Sequence, residues 1–144
     1  MKFKLIALIA IVAFAVFPVF AQRGPTNTTA KKTNADVLKQ KLDKGDKVIL
    51  IDVRREDEVQ AGSVPGAVII PDTDLPARMK DIPKDTEVVF ICNAGNRSSR
   101  AAELFEKNDY KNVTYSPLND WKSAGFKVEV PKKAPEGQVA PAAK

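Results

Sequence analysis

Apolar positions fall into two rhythms between residues 34 and 130. Val48-Ile49-Leu50-Ile51-Asp52-Val53 is an almost unbroken β-branched run, the pattern of a strand buried on both faces. Ala67-Val68-Ile69-Ile70, closed by Pro71, predicts a second strand, and Glu87-Val88-Val89-Phe90-Ile91, ending on Cys92, a third. Val113-Thr114-Tyr115 predicts a fourth. Helical spacing separates them. Thr33-Asn34-Ala35-Asp36 reads as a capped helix start, Val37, Leu38 and Leu42 follow on one face, and Gly45 is the stop. Residues 55–60 read as a short helix or turn, 75–82 as a short amphipathic helix, and 97–108 as the clearest helix, with Ala101, Ala102, Leu104 and Phe105 on one side. Asn119 to Ala124 makes a last helical turn before Gly125. Strand and helix in alternation predict an α/β domain, a central parallel sheet with helices on both faces. Ligands in such folds sit at the carboxyl ends of the strands, and Cys92 ends the third one.

The flanks break both rhythms. Lys2 and Lys4, the uncharged run Leu5 to Val16, and Val19-Phe20-Ala21 before Gln22 follow the order of a secretory signal peptide over residues 1–21. The alternatives are a retained membrane anchor, although the stretch is slightly short to span a bilayer, and a buried core helix. Residues 22–33, rich in Thr, Asn, Gly and Pro, read as a disordered leader, and residues 131–144, rich in Pro, Ala and Lys, as a disordered tail. The domain is 34–130. The expected location is outside the cytoplasm, periplasmic or extracellular after cleavage, with membrane contact only through the signal segment.

The net charge of +5 belongs to these flanks. Residues 34–130 alone carry −2. A nucleic-acid partner needs a basic face on the fold, so none is expected. One cysteine cannot form an internal disulfide. Its thiol is either a small buried core group or left free for chemistry.

The residues after the third strand favour chemistry. Cys92-Asn93-Ala94-Gly95-Asn96-Arg97 leads into Ser98 and the long helix. Gly95 permits a tight turn, and successive backbone N–H groups in such a loop can face inward as an anion-binding nest. The helix start adds unpaired N–H groups and partial positive charge. Arg97 adds a planar fork of donors suited to an oxyanion. Positive potential favours thiolate, the nucleophilic form of cysteine. Arg97 and Arg100 could otherwise be solvated helix residues, three apart on one face. Three sequons, at Asn27, Asn96 and Asn112, are read as coincidence, because a glycan on Asn96 would block the loop.

Cys92-Asn93-Ala94-Gly95-Asn96-Arg97-Ser98 resembles the active loop of rhodanese-like sulfurtransferases. Ile51-Asp52-Val53-Arg54 is similar to that family's Asp-Val-Arg. Gly62-Ser63-Val64-Pro65-Gly66-Ala67 is similar to its Gly-His-Ile-Pro-Gly-Ala, and Trp121 and Gly125 to its late Trp and Gly. The resemblance spans about residues 34–130 and is closest to an exported, single-domain type. It implies that Cys92 takes a sulfane sulfur from a donor such as thiosulfate, forms a persulfide, and yields it to a thiophilic acceptor, cyanide or a thiol. Catalysis then falls to Cys92 and Arg97, and substrate binding to Asn93, Ala94, Gly95, Asn96, Arg97 and Ser98, with the loop amides stabilising the persulfide. Asp52 and Arg54 support the site by ion pairing, and Trp121 serves packing. No cofactor or metal is implied. The implied partners are a small anionic sulfur donor and a thiol or cyanide acceptor, with room for a redox partner protein.

Two departures from the family pattern bear on substrate. Ser63 stands where His is frequent, and Ser116-Pro117 where a Gly-Gly pair is usual. A non-catalytic carrier of sulfane sulfur is the alternative that the second departure raises. Cys-dependent phosphatases and arsenate reductases of the superfamily place five residues between Cys and Arg. Here there are four, 93 to 96, a smaller cradle that suits sulfur better than a tetrahedral phosphate or arsenate.

Overall fold

The structure is a computed structural model and describes residues 29–142. Six strands form one sheet, in the order β1-β5-β4-β2-β3-β6, and every pairing is parallel. Its centre is β2 (Val48–Asp52) and β4 (Glu87–Cys92), paired along their lengths from Val48–Glu87 to Asp52–Ile91. Both are apolar on successive residues because helices cover both faces. On one face α1 (Ala35–Lys44) and α4 (Leu118–Ser123) bring Leu38, Leu118 and Trp121 against Leu50, Val89 and Ile91. On the other, α2 (Leu75–Arg78) and α3 (Asn96–Glu106) bring Leu75, Ala102 and Phe105 against Ile51 and Phe90. Phe105 meets Phe90 edge-on, with ring centroids 4.7 Å apart.

Gly45 ends α1 at φ 77°, a left-handed position open to glycine without strain, and its N–H closes on the Leu42 carbonyl. Asn34 occupies the N-cap without donating or accepting a side-chain cap bond. The segment expected as one helix over 75–82 is α2 followed by a 3-10 turn, Met79–Asp81. The tighter turn lets the Met79 and Ile82 carbonyls both accept from the Tyr110 hydroxyl, at 2.7 and 2.8 Å. Residues 55–60 resolve into a 3-10 turn at Glu58–Ala61.

The sheet is wider than the strand pattern predicts. Lys31–Lys32 forms β1 on the edge of β5 (Val113–Pro117), and Lys132–Lys133 forms β6 on the edge of β3 (Val68–Ile69). Residues 131–142 therefore do not hang free, contrary to the expectation of a disordered tail from 131. Ala134 and Val139 are buried, and the N–H groups of Ala134, Val139 and Ala142 donate to Ile69, Asp81 and Val48. A composition poor in large apolar residues argues for disorder only while no sheet edge offers main-chain partners, and here β3 does. The leader likewise joins the fold from Ala30, which is buried. The expected signal segment, 1–21, and residues 22–28 lie outside the described residues. Among the described residues no helix is long and apolar enough to cross a membrane.

From β2 the chain moves outward to β3; from β4 it moves the other way, to β5. The order reverses between β2 and β4, and a crevice at the carboxyl ends of these two strands is where such sheets bind ligands. β4 ends on Cys92 and its loop begins at Asn93, while the loop after β2 begins at Val53-Arg54.

Candidate active site

Cys92 is the last residue of β4 and is buried. Gly95 turns the chain at φ 97° and stands as N-cap of α3. The first intrahelical bond is Ser99 N–H to the Gly95 carbonyl, at 2.8 Å. This leaves the preceding N–H groups of α3 without helical partners. One of them, on Ser98, donates to Cys92 Sγ at 3.3 Å. Ser98 Oγ lies 3.3 Å from the same sulfur and 3.1 Å from the Gly95 carbonyl. Its single proton can turn to either, so a thiolate would receive a second donor. The sulfur sits where an N-cap oxygen commonly sits, at the positive end of an eleven-residue helix.

The β2 side braces this loop. Arg54 is buried, and all five of its N–H groups are used. Nε and Nη2 grip Asp52, with shortest contacts of 2.9 and 2.7 Å, and Nη2 also donates to the Gly62 carbonyl at 3.0 Å. Nη1 donates to the Glu58 carbonyl at 3.2 Å and to Asn93 Oδ1 at 3.0 Å. Asp52, fully buried, further accepts from the Arg54 backbone N–H and from the Ser63 hydroxyl, at 2.5 Å. The Ser63 hydroxyl thus closes the Asp52 network. The expected supporting role of Asp52 and Arg54 has a concrete form: Arg54 ties the start of the Cys92 loop to the turn after β2. Asn93 is held a second time, its carbonyl accepting from Asn119 N–H at 3.0 Å.

The predicted loop residues do not all face the sulfur. Gly95 and Ser98 are buried, Asn93, Ala94 and Asn96 are exposed, and Arg97 is half-buried. The Arg97 fork, expected to await an oxyanion, is closed on Glu58, with Nη1 and Nη2 donating to the two carboxylate oxygens at 2.8 and 2.7 Å. The Arg97 guanidinium holds the Glu58 carboxyl far below its ordinary value, at about 2. Glu58 in turn raises Arg97, with Cys92 and Asp72 adding to the effect. Glu58 was not singled out from sequence. The signal available was three consecutive acids, Glu56-Asp57-Glu58, after the strand that neighbours β4. Only the 3-10 geometry of the turn selects the third of them.

Ser116 and Pro117 end β5 beside this loop, in register with Ile91 and Cys92. A Cβ on Gly95 would stand 3.3 Å from Pro117 Cγ and 3.2 Å from Tyr115 Cε2, so Tyr115 and Pro117 wall the back of the turn. The Ser116 hydroxyl is buried and has no hydrogen-bond partner among the described residues. Trp121 is packing, as expected: buried, its Nε1 donates to the Lys127 carbonyl and its ring lies 4.9 Å from Phe126.

The profile of the family described as "Rhodanese-like domain" matches residues 34–122. The chain belongs to this family. Three relatives illustrate the likeness. YtwF of Bacillus subtilis is 37% identical over 83 residues, 58% of this chain and 81% of its own. A protein of Allochromatium vinosum named sulfurtransferase is 35% identical over 80 residues, 56% of this chain and 75% of that one. The mitochondrial thiosulfate sulfurtransferase RDL2 of Saccharomyces cerevisiae is 30% identical over 103 residues, 61% of this chain and 69% of RDL2. The crystal structure of RDL2 superposes with a TM-score of 0.57 at 26% identity, covering 70% of this chain and 95% of that one. The rhodanese fold accounts for the placing of Cys92 at the carboxyl end of a central parallel strand.

Proposed function

We propose that this rhodanese is a sulfurtransferase that moves sulfane sulfur from a donor such as thiosulfate to a thiophilic acceptor, cyanide or a thiol, through a persulfide on Cys92. The observation that carries the reading is the buried Cys92 sulfur accepting the Ser98 N–H at the start of α3. Relatives named sulfurtransferase support the class of reaction. A thiolate held by a helix N-terminus attacks the outer sulfur of the donor. The donor's S–S bond breaks, sulfite leaves with the electron pair, and Cys92 keeps the sulfur as a persulfide anion. Cyanide then attacks that outer sulfur, thiocyanate departs, and the thiolate is restored. Before and after each half-reaction the enzyme carries one negative charge, on Cys92 Sγ or on the outer sulfur of the persulfide, so amides fixed in advance serve both half-reactions. The chain contains no histidine, and this scheme requires no proton acceptor.

The setting we propose is outside the cytoplasm, periplasmic or extracellular, with residues 1–21 as a cleaved signal. The support is the order of Lys2, Lys4, the apolar run and Ala21. The test of activity is thiocyanate formation from thiosulfate and cyanide by wild type and by Cys92→Ser. Wild type should turn over and the variant should not; equal rates would defeat the proposal. A carrier without turnover would instead hold one added sulfur on Cys92 while thiocyanate formation stays at background.

A further inference from the structure

The turn after β2 clamps the Cys92 loop at both of its ends. Arg54 Nη1 reaches the Glu58 carbonyl and Asn93 Oδ1, while the Glu58 side chain takes the Arg97 fork. Glu58 is itself fixed, accepting the Arg55 backbone N–H at 3.1 Å. The cations around the site are accordingly matched. Arg54 is paired with Asp52, Arg97 with Glu58, and Arg55 with Asp57 and Glu58. Asp72 adds a further negative charge that Arg97 feels. Arg100, exposed further along α3, is the remaining cation of the loop and helix start.

We propose that Glu58 is a specificity-determining residue that masks the charge of Arg97 and so sets the site against donors of high negative charge. A guanidinium has five N–H groups, and the end-on carboxylate uses one on each Nη. Nε–H and the outer Nη N–H groups remain, so Arg97 can still touch an oxyanion. It meets that oxyanion as half of a neutral pair. A dianion such as thiosulfate or sulfate is therefore held more weakly than an unpaired Arg97 would hold it, whereas an uncharged reagent is indifferent to the pair. Removing one negative charge from a part-buried site beside a dianion should strengthen binding on the order of tenfold.

The inference deepens the sulfurtransferase reading, and its first test does not depend on that reading. Sulfate protection of Cys92 from alkylation by iodoacetamide, a neutral reagent, measures anion binding without any sulfur transfer. In Glu58→Gln and Glu58→Ala the half-protecting sulfate concentration should fall about tenfold. Adding Arg97→Gln to either should abolish the gain. With thiosulfate as donor, both single variants should show a lower KM. An unchanged or higher half-protecting concentration in either folded single variant overturns the inference, for Glu58 would then serve only to hold Arg97 in place. A shift in protection without any persulfide on wild-type Cys92 would leave the masking role standing and defeat the sulfurtransferase reading alone.

Discussion

Replacing Gly95 by alanine tests the active loop from its backbone outward. Gly95 has φ 97° and ψ −16°, which an L side chain occupies only at a cost of about 1–2 kcal/mol. The added Cβ would also stand 3.2 Å from Tyr115 Cε2 and 3.3 Å from Pro117 Cγ. Pro117 is fixed in β5 opposite Cys92, so relief must come from the ring of Tyr115 or from the loop itself. Crowding of this kind adds roughly 1–2 kcal/mol. The total, about 2–4 kcal/mol, corresponds to a fall in melting temperature on the order of 10 °C for a domain of this size. Gly125 supplies the control. It has φ 77°, but a Cβ there has nothing within 4 Å, so Gly125→Ala should cost only the backbone part, about 1 kcal/mol. Displacing the turn also shifts Ser98 N–H from the sulfur, so the rate of Cys92 alkylation should change in Gly95→Ala and not in Gly125→Ala. Thermal unfolding and alkylation kinetics on the three proteins decide the matter. Equal melting temperatures for the two variants, with unchanged alkylation, would refute the argument that the Gly95 turn is held tightly against β5.

Three further outcomes follow from the same geometry. Arg54→Ala leaves Asp52 buried without its cation and should lower stability by about 3–5 kcal/mol in urea unfolding; a loss below about 1 kcal/mol would mean that the network relaxes. Ending the chain at Val130 removes buried Val139 and Ala134 and bares the β3 edge, so unfolding free energy should drop by at least about 2 kcal/mol; an unchanged midpoint would return the segment to the status of a free tail. Glu58 is held down to about 2 by Arg97, below an ordinary carboxyl near 4.5. Its folded-state pKa is depressed, so the stability it contributes is present above about pH 4.5 and is lost as pH falls toward 2. Glu58→Gln should therefore flatten that part of the acid unfolding profile, and a profile parallel to wild type across the window would contradict the ion pair.

The parts of the fold that could be read in advance are those fixed by burial. β2 and β4 are legible because both faces are covered, which forces apolar residues on successive positions. The loop is legible because its chemistry is local: Cys92, Gly95, Arg97 and Ser98 lie within seven residues, and the turn and helix start follow from the chain itself. β1 and β6 are not legible. Lys31–Lys32 and Lys132–Lys133 are exposed lysine pairs joined to the sheet by the main chain, which leaves no side-chain pattern to find. The tail is hidden for the same reason, since Ala134 and Val139 are isolated apolar contacts within a segment of disorder-like composition. The partner of Arg97 is hidden because it is a contact between residues 39 positions apart, selected by a 3-10 turn from three neighbouring acids. Local chemistry thus shows where the nucleophile stands, while the charge it faces is set by a second loop.

The central claim is that Cys92 accepts sulfur, and intact mass tests it most directly. The protein, reduced and then incubated with thiosulfate, should gain the mass of one sulfur atom. The gain should vanish on adding cyanide, with an equivalent amount of thiocyanate released. Cys92→Ser should show neither change. No gain in the wild-type protein with any sulfane-sulfur donor, or the same gain in Cys92→Ser, would contradict the account.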